Sequence, residues 1–216
     1  MIPVTLDFLT SQINQADALQ AGRSTMFEPQ DLPGRFGRVV KAVDKILASL
    51  NCEGVLGGGW AVWRHGYVGR VTQDLDLVLS ADRVDDFLRV ASFSGFEVLP
   101  ISTGNWPKLL HKETAIEVDL LPEGGRPGTD SRPAPTTIPH PRTLRGTPGR
   151  LNYIPLVSLI ELKLAAGRAR DESDVMELIR ANPDETASIR RHLEQVHADY
   201  ASRFDRISEQ SRDPRA

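Results

Sequence analysis

The chain has 216 residues, of which 40% are hydrophobic and 25% are charged, and its formal net charge is −3. This composition is typical of an ordinary globular protein with a sizeable core, and the small net charge excludes a strongly basic coat over the whole surface. The single cysteine, Cys52, excludes an intramolecular disulfide and a four-thiolate zinc site.

The N-terminal stretch Met1–Asp7 has no basic segment followed by a long apolar run, so it does not predict a signal peptide. No stretch of the chain approaches the roughly 20 apolar residues that a membrane-spanning helix needs. Together with the cysteine content, these features predict a cytoplasmic protein with no membrane partner.

The first quarter of the chain predicts a polar arm, a helix and a short strand. Residues 1–34 are polar with scattered apolar side chains, and Pro33-Gly34 marks the end of this arm, part of which is compatible with a helix. Apolar residues recur at helical spacing over 36–50. Val55-Leu56 then predicts a short buried strand, and residues 60–65 predict the first turns of a helix.

The middle of the chain predicts three more strands and a helix. Over 73–80 three leucines alternate with two aspartates, which is typical of a strand with one apolar face. Residues 82–93 predict a helix. Residues 108–111 and 115–121 predict two strands joined by a tight turn.

The last part of the chain predicts a loop followed by helices. Residues 122–150 are rich in Pro and Gly and lack periodicity, which predicts a long functional or mobile loop. Helices are then predicted over 155–168, 171–181 and 184–206. A break at Gly167 is favoured over one continuous helix, with Asp171 capping the helix that follows.

These elements predict an α+β fold, a small mixed β-sheet core flanked by helices and followed by a helical C-terminal part. The predicted divisions are an N-terminal arm over 1–34, a core over 35–150, a helical region over 151–210 and a disordered tail over 211–216.

A glycine pair precedes two closely spaced aspartates. Gly58 and Gly59 stand where a helix is expected to begin, and such a backbone can approach phosphate oxygens. Asp74 and Asp76 are two residues apart on the predicted strand, so both carboxylates lie on one face. Two carboxylates on one face can hold Mg²⁺. Either feature alone is common in turns and strand edges, and only the combination is informative.

A third acidic residue would complete a two-metal site. The later strand Ile116–Leu121 offers Glu117 and Asp119 on one face and apolar side chains on the other. A buried carboxylate needs a partner, and a metal ion is one. Asp119 is the preferred residue because it is nearer the end of the strand, and Glu117 is the alternative.

The sequence holds a longer pattern, Gly58-Gly59-x-Ala61, then Arg70-x-Thr72-x-Asp74-x-Asp76, then Val118-Asp119-Leu120. This pattern resembles the polymerase-β-like nucleotidyltransferase superfamily. The run Leu159-Ile160-Glu161-Leu162-Lys163-Leu164-Ala165-Ala166, followed by Arg170-Asp171-x-x-Asp174-Val175, resembles the helical part of the toxin-like AbiEii nucleotidyltransferases, which include the MenT group. The resemblance spans roughly residues 36–182.

The resemblance implies a Mg²⁺-dependent enzyme, with two metal ions, that transfers a nucleoside monophosphate from an NTP and releases pyrophosphate. It implies that Asp74, Asp76 and Asp119 bind the metal ions and that Asp119 helps to activate an acceptor hydroxyl. Phosphate contacts are implied for Gly58, Gly59 and Lys163, although Lys163 also suits a solvated lysine on a helix. Arg70 suits either a phosphate contact or a surface or structural ion pair.

Three functions stay open. The toxin-like resemblance implies a tRNA or other RNA acceptor and a separate antitoxin protein as partner. Arg142, Arg145 and Arg150 lie in a stretch without acids that an RNA backbone could contact, although arginines in such loops are usually solvated. A small-molecule, antibiotic-type nucleotidyltransferase is the alternative within enzymes, and a catalytically idle nucleotide-binding module is the alternative outside them.

Overall fold

The computed structural model describes residues 5–21, 28–32, 34–100, 106–129, 131–144 and 149–212. Within these residues a six-stranded mixed sheet packs against helices, and further helices follow it, so the predicted α+β fold class is confirmed. No helix of the described part is long and apolar enough to cross a membrane.

The strands of the described residues are β1 (Gly54–Leu56), β2 (Asp74–Leu79), β3 (Phe96–Leu99), β4 (Lys108–His111), β5 (Ile116–Pro122), β6 (Gly128–Thr129), β7 (Arg132–Pro133) and β8 (Leu151–Tyr153). The α-helices are α1 (Leu6–Ala21), α2 (Gly34–Ser49), α3 (Gly58–Arg64), α4 (Val84–Phe93), α5 (Pro141–Leu144), α6 (Leu156–Ala166), α7 (Ala169–Ala181), α8 (Thr186–Val196) and α9 (Ala198–Ser211).

The strand order of the main sheet is β3-β4-β5-β2-β1-β8. Strand β2 is parallel to β5 and antiparallel to β1, and β1 is parallel to β8. The central strands therefore bring together segments that are more than 40 residues apart in the chain.

The alternation in β2 and β5 separates a core face from a polar face. Leu75, Leu77 and Leu79 are fully buried, as are Val118 and Leu120 on the neighbouring strand. Helix α2 buries its apolar stripe and contacts β5 and α4, which encloses this core. The acidic side chains of both strands consequently lie on the opposite face.

Helices α6 to α9 pack on one another around fully buried side chains such as Tyr200 and Phe204. The predicted break at Gly167 is confirmed, because this residue ends α6 in the left-handed region with φ of 64°. The predicted position of Asp171 at the cap is wrong, because Arg168 is the N-cap of α7 and Asp171 lies three residues after it. The Oδ2 atom of Asp171 instead accepts the backbone N–H of Arg168 at 3.3 Å.

Several elements differ from the prediction. The region 122–150 is not a bare loop, because it contains the β6–β7 hairpin and α5 and buries Ala134, Ile138 and Leu144. The short strands β3 and β8 were not predicted. The expected helix over 184–206 is two helices, interrupted at His197 by an extended backbone (φ −165°, ψ 133°).

The predicted domain boundaries stay predictions. Helix α1 occupies part of the predicted arm 1–34, of which residues 1–4, 22–27 and 33 lie outside the described residues. Most of the predicted disordered tail, from residue 213 onward, also lies outside them.

Candidate active site

The acidic faces of β2 and β5 meet in the sheet. The parallel register places Asp76 beside Asp119 and Asp74 beside Glu117. Strand side chains that share a face and a register position are close neighbours, so four carboxylates occupy one patch of the sheet. The structure thus brings together the three predicted metal ligands and the alternative residue Glu117.

The glycine pair lies so close to this patch that neither position leaves room for a larger side chain. Gly58 begins α3 with φ of 57°, and a Cβ atom there would overlap the Asp76 carboxylate. A Cβ atom at Gly59 would overlap the Thr72 hydroxyl. The backbone N–H of Gly57 donates to the carbonyl oxygen of Asp76 at 2.9 Å, which fixes the loop beside the strand.

Negative charge accumulates at Asp76. Burial raises the pKa of Asp76 to about 7, and the neighbouring charges of Asp74 and Asp119 add to this rise. Lys163 and Arg168 act in the opposite direction but do not cancel it. Among the described residues, no ion pair neutralises the carboxylates of Asp74 and Asp76.

Asp119 has a cationic neighbour on the next strand. The ammonium of Lys108 lies 2.8 Å from Oδ1 and 3.1 Å from Oδ2 of Asp119, and 3.6 Å from Oε2 of Glu117. Burial raises the pKa of Asp119, and the hydrogen bond and charge of Lys108 offset part of that rise. Lys108 therefore offsets part of the negative charge of the acidic patch, at Asp119 and Glu117.

The predicted phosphate-binding cations lie in a buried ionic cluster. The Lys163 ammonium donates to Oδ2 of Asp174 at 2.6 Å and to Oδ1 of Asp171 at 3.2 Å. Arg70 Nη1 donates to the same Asp174 oxygen at 2.5 Å. The side chains of Lys163 and Arg70 are only 7% and 12% exposed. The structure thus joins the segment before β2 to the acidic side chains of α7.

Arg168 links this cluster to the surface. Its Nε donates to Oδ2 of Asp171 at 2.7 Å and its Nη2 to Oδ1 at 3.3 Å. Burial alone would raise the pKa of Asp171, but the Arg168 hydrogen bonds and the Lys163 charge bring it below its ordinary value. Asp171 is therefore held as a carboxylate between two cations.

The N-terminal helix also reaches the site. Gln12 of α1 is buried, and its Oε1 accepts the backbone N–H of Thr72 at 3.1 Å. The indole N–H of Trp63 donates to the carbonyl oxygen of Arg70 at 2.9 Å. Both contacts fix the backbone that leads into Asp74.

A cavity of about 190 Å³ lies between the acidic patch of β2 and β5 and the ionic cluster that contains Lys163. Gly58, Asp76 and Asp119 line one side, and Lys163 and Arg168 line another. Its apolar lining comes from Trp106, Leu121, Pro127, Ile138, Leu159 and Leu162. The cavity could accommodate a ligand that has a planar apolar part and a charged part.

The donor atoms suit a hard divalent cation, since all are carboxylate oxygens. The pKa of Asp76 is raised first by burial and then by the neighbouring charges of Asp74 and Asp119. The geometry is not preformed, because no three His, Cys, Asp or Glu side chains of the described residues are grouped closely enough to hold a metal ion. Binding would require the carboxylates to turn towards the ion.

Sequence reasoning missed Arg168, Lys108 and Gln12. Arg168 directly follows the predicted helix break, and Lys108 opens the strand paired with β5, so both positions carried a weak signal. Two of the loop arginines form ion pairs that partly neutralise their charges. Arg142 Nε lies 3.7 Å from Oε2 of Glu53, and Arg150 Nε lies 3.2 Å from Oδ1 of Asp44. Arg145 lies outside the described residues.

Neither a protein-family model nor a curated protein sequence matches the chain. The crystal structure of ANT(2")-Ia in complex with adenylyl-2"-tobramycin is similar at 14% identity, over 83% of this chain and 98% of that chain, with a TM-score of 0.40. The solution structure of antibiotic-resistance factor ANT(2'')-Ia is similar at 17% identity, over 81% and 91%, also at 0.40.

The crystal structure of JHP933 from Helicobacter pylori is similar at 12% identity, over 81% of this chain and 89% of that chain, with a TM-score of 0.38.

Proposed function

We propose that this protein is a Mg²⁺-dependent nucleotidyltransferase, an enzyme that moves a nucleoside monophosphate from an NTP to an acceptor hydroxyl and releases pyrophosphate. The main support is the pairing of Asp76 with Asp119 on adjacent parallel strands, in a cavity that also contains Lys163 and Arg168. Acidic and cationic groups facing one cavity suit a metal-bound polyphosphate.

Asp74, Asp76 and Asp119 would hold the magnesium ions, which supply charge neutralisation of the phosphates. Asp119 would help to activate the acceptor hydroxyl by accepting its proton, which is the role that the resemblance implies for this residue. The acceptor oxygen forms a bond to the α-phosphorus as the bond to the β-phosphate breaks. Contacts of Gly58, Gly59, Arg70 and Lys163 with the phosphates stay predictions.

The first candidate acceptor is an RNA, such as a tRNA end, with a separate antitoxin protein as the partner of an AbiEii- or MenT-like enzyme. This candidate is supported by the spatial cluster of Lys163, Asp171 and Asp174, which are all part of the resemblance to these proteins.

A small hydroxyl-bearing molecule is the second candidate. It is favoured by the ion pairs of Arg142 with Glu53 and of Arg150 with Asp44, which reduce the positive charge that the loop offers to an RNA backbone.

The test is incubation with Mg²⁺, each of the four α-³²P-labelled NTPs, and either total RNA or a mixture of aminoglycosides. Label in RNA supports the first candidate, and label in the small molecules supports the second. Pyrophosphate release should depend on Asp76, so the variant Asp76→Asn, assayed in parallel, should release almost none. Nucleotide binding without transfer to either pool would instead support an idle nucleotide-binding module.

A further inference from the structure

The ionic cluster of α6 and α7 has more positive than negative groups. Two carboxylates, Asp171 and Asp174, contact three cations, Lys163, Arg70 and Arg168. A cluster of this composition has one positive charge left over when all five groups are ionised. The surplus can act on a ligand only through a cation that the ligand can reach.

Lys163 and Arg70 are poorly placed to make such a contact. Each is enclosed, and each donates to the same Oδ2 of Asp174 at 2.6 Å and 2.5 Å respectively. Moving either group to a phosphate would break an enclosed ion pair and leave Asp174 with one cation in place of two, which costs free energy because the pair is largely shielded from water.

Arg168 differs in each of these respects. Its side chain is 63% exposed, although the carboxylate that it contacts is 1% exposed. Its Nε and Nη2 atoms donate to Asp171, which holds the plane of the guanidinium, and no hydrogen bond to another described residue occupies Nη1. It lines the cavity together with Gly58 and Asp76.

We infer that Arg168 is the cation that binds the triphosphate, while Lys163 and Asp171 position it. This inference rests on the proposed function, since it assigns a residue to that substrate. A guanidinium fixed on one edge presents its remaining N–H groups without a large loss of side-chain entropy, which suits phosphate recognition. Lys163 and Arg168 both contact Asp171, and Asp171 in turn orients Arg168.

The test compares Arg168→Gln with Arg170→Gln. Arg170 is also exposed near the start of α7, so it is a matched loss of one positive charge. The glutamine at 168 keeps the backbone N–H that Asp171 accepts. Affinity for the α,β-methylene analogues of the four NTPs, with Mg²⁺, is measured by calorimetry, and affinity for the corresponding unphosphorylated nucleosides is measured by NMR.

For the best-bound analogue, Arg168→Gln should weaken triphosphate binding about tenfold to hundredfold, the loss typical of a charge-assisted hydrogen bond. Nucleoside binding should stay unchanged, Arg168→Lys should recover part of the loss, and Arg170→Gln should resemble the wild type.

Three outcomes would overturn the inference. If Arg168→Gln and the wild type bind the triphosphate with equal affinity, Arg168 does not bind the triphosphate, and the proposed function still stands. An equal loss for nucleoside and triphosphate shows a structural role only. Failure of the wild type to bind any triphosphate overturns the proposed function and, with it, this inference.

Discussion

The acidic face of β2 and β5 and the ionic cluster of α6 and α7 are opposites in charge. On the sheet, Asp74 and Asp76 have no ion pair among the described residues, and Lys108 is shared between Asp119 and Glu117. In the ionic cluster Asp171 and Asp174 each contact two cations. The acidic face thus has more carboxylates than cations, whereas the ionic cluster has more cations than carboxylates. A metal-bound triphosphate carries both charges and would complement both regions.

The largest expected effect comes from removing one sheet carboxylate. Asp76→Asn should reduce pyrophosphate release a thousandfold or more, because metal-assisted charge stabilisation contributes several kcal/mol. The free energy of unfolding should not fall, since the substitution removes a group whose pKa is raised by burial and by like charges. Enzyme kinetics and urea unfolding measure the two quantities. Lost activity caused by lost folding would contradict this division.

The helical cluster should respond in the opposite way. Asp174→Asn should lower the free energy of unfolding by about 3–5 kcal/mol, because it leaves the charge of Arg70 buried without its carboxylate partner and leaves Lys163 with Asp171 alone. The matched control is Asp44→Asn at the more exposed pair with Arg150, which should cost about 1 kcal/mol or less. If Asp174→Asn and Asp44→Asn unfold at similar urea concentrations, the buried ion pairs of Asp174 do not stabilise the fold more than the exposed pair does.

The two acids of β5 should differ. Asp119→Asn should reduce the rate of transfer about a hundredfold, as expected for the loss of a general base. Glu117→Gln should change the rate of transfer about threefold or less. Glu117 is paired with Asp74 in the sheet, so it lies further from Asp76 than Asp119 does. Single-turnover kinetics with a labelled NTP compare them. A larger loss for Glu117→Gln would exchange the two roles.

The smallest expected effect concerns Lys108. Lys108→Gln removes the only cation within the described part of the chain that contacts Asp119, so Mg²⁺ should raise the melting temperature of this variant more than that of the wild type, by about 1–3 °C. Lys112→Gln, at the exposed turn before β5, is the control and should match the wild type. An unchanged or smaller Mg²⁺ effect in Lys108→Gln would show that Lys108 does not compete with the metal.

The alternation of Asp74 and Asp76 with leucines predicted both the strand and its acidic face. It could not predict that Asp76 pairs with Asp119, because strand register depends on contacts between distant segments. The break at Gly167 was predictable from local geometry, whereas the exposure of Arg168 depends on how α7 packs. Strands β3 and β8 are too short for a periodic signal.

The most direct test of this account locates the metal. Mn²⁺ would be titrated into the ¹⁵N-labelled protein with an α,β-methylene nucleoside triphosphate, and the broadening of backbone amide signals would be mapped. The account predicts broadening centred on Asp74–Asp76 and Asp119, and its loss in Asp76→Asn. Broadening centred elsewhere, or none at saturating nucleotide, would contradict the assignment of these carboxylates to the metal.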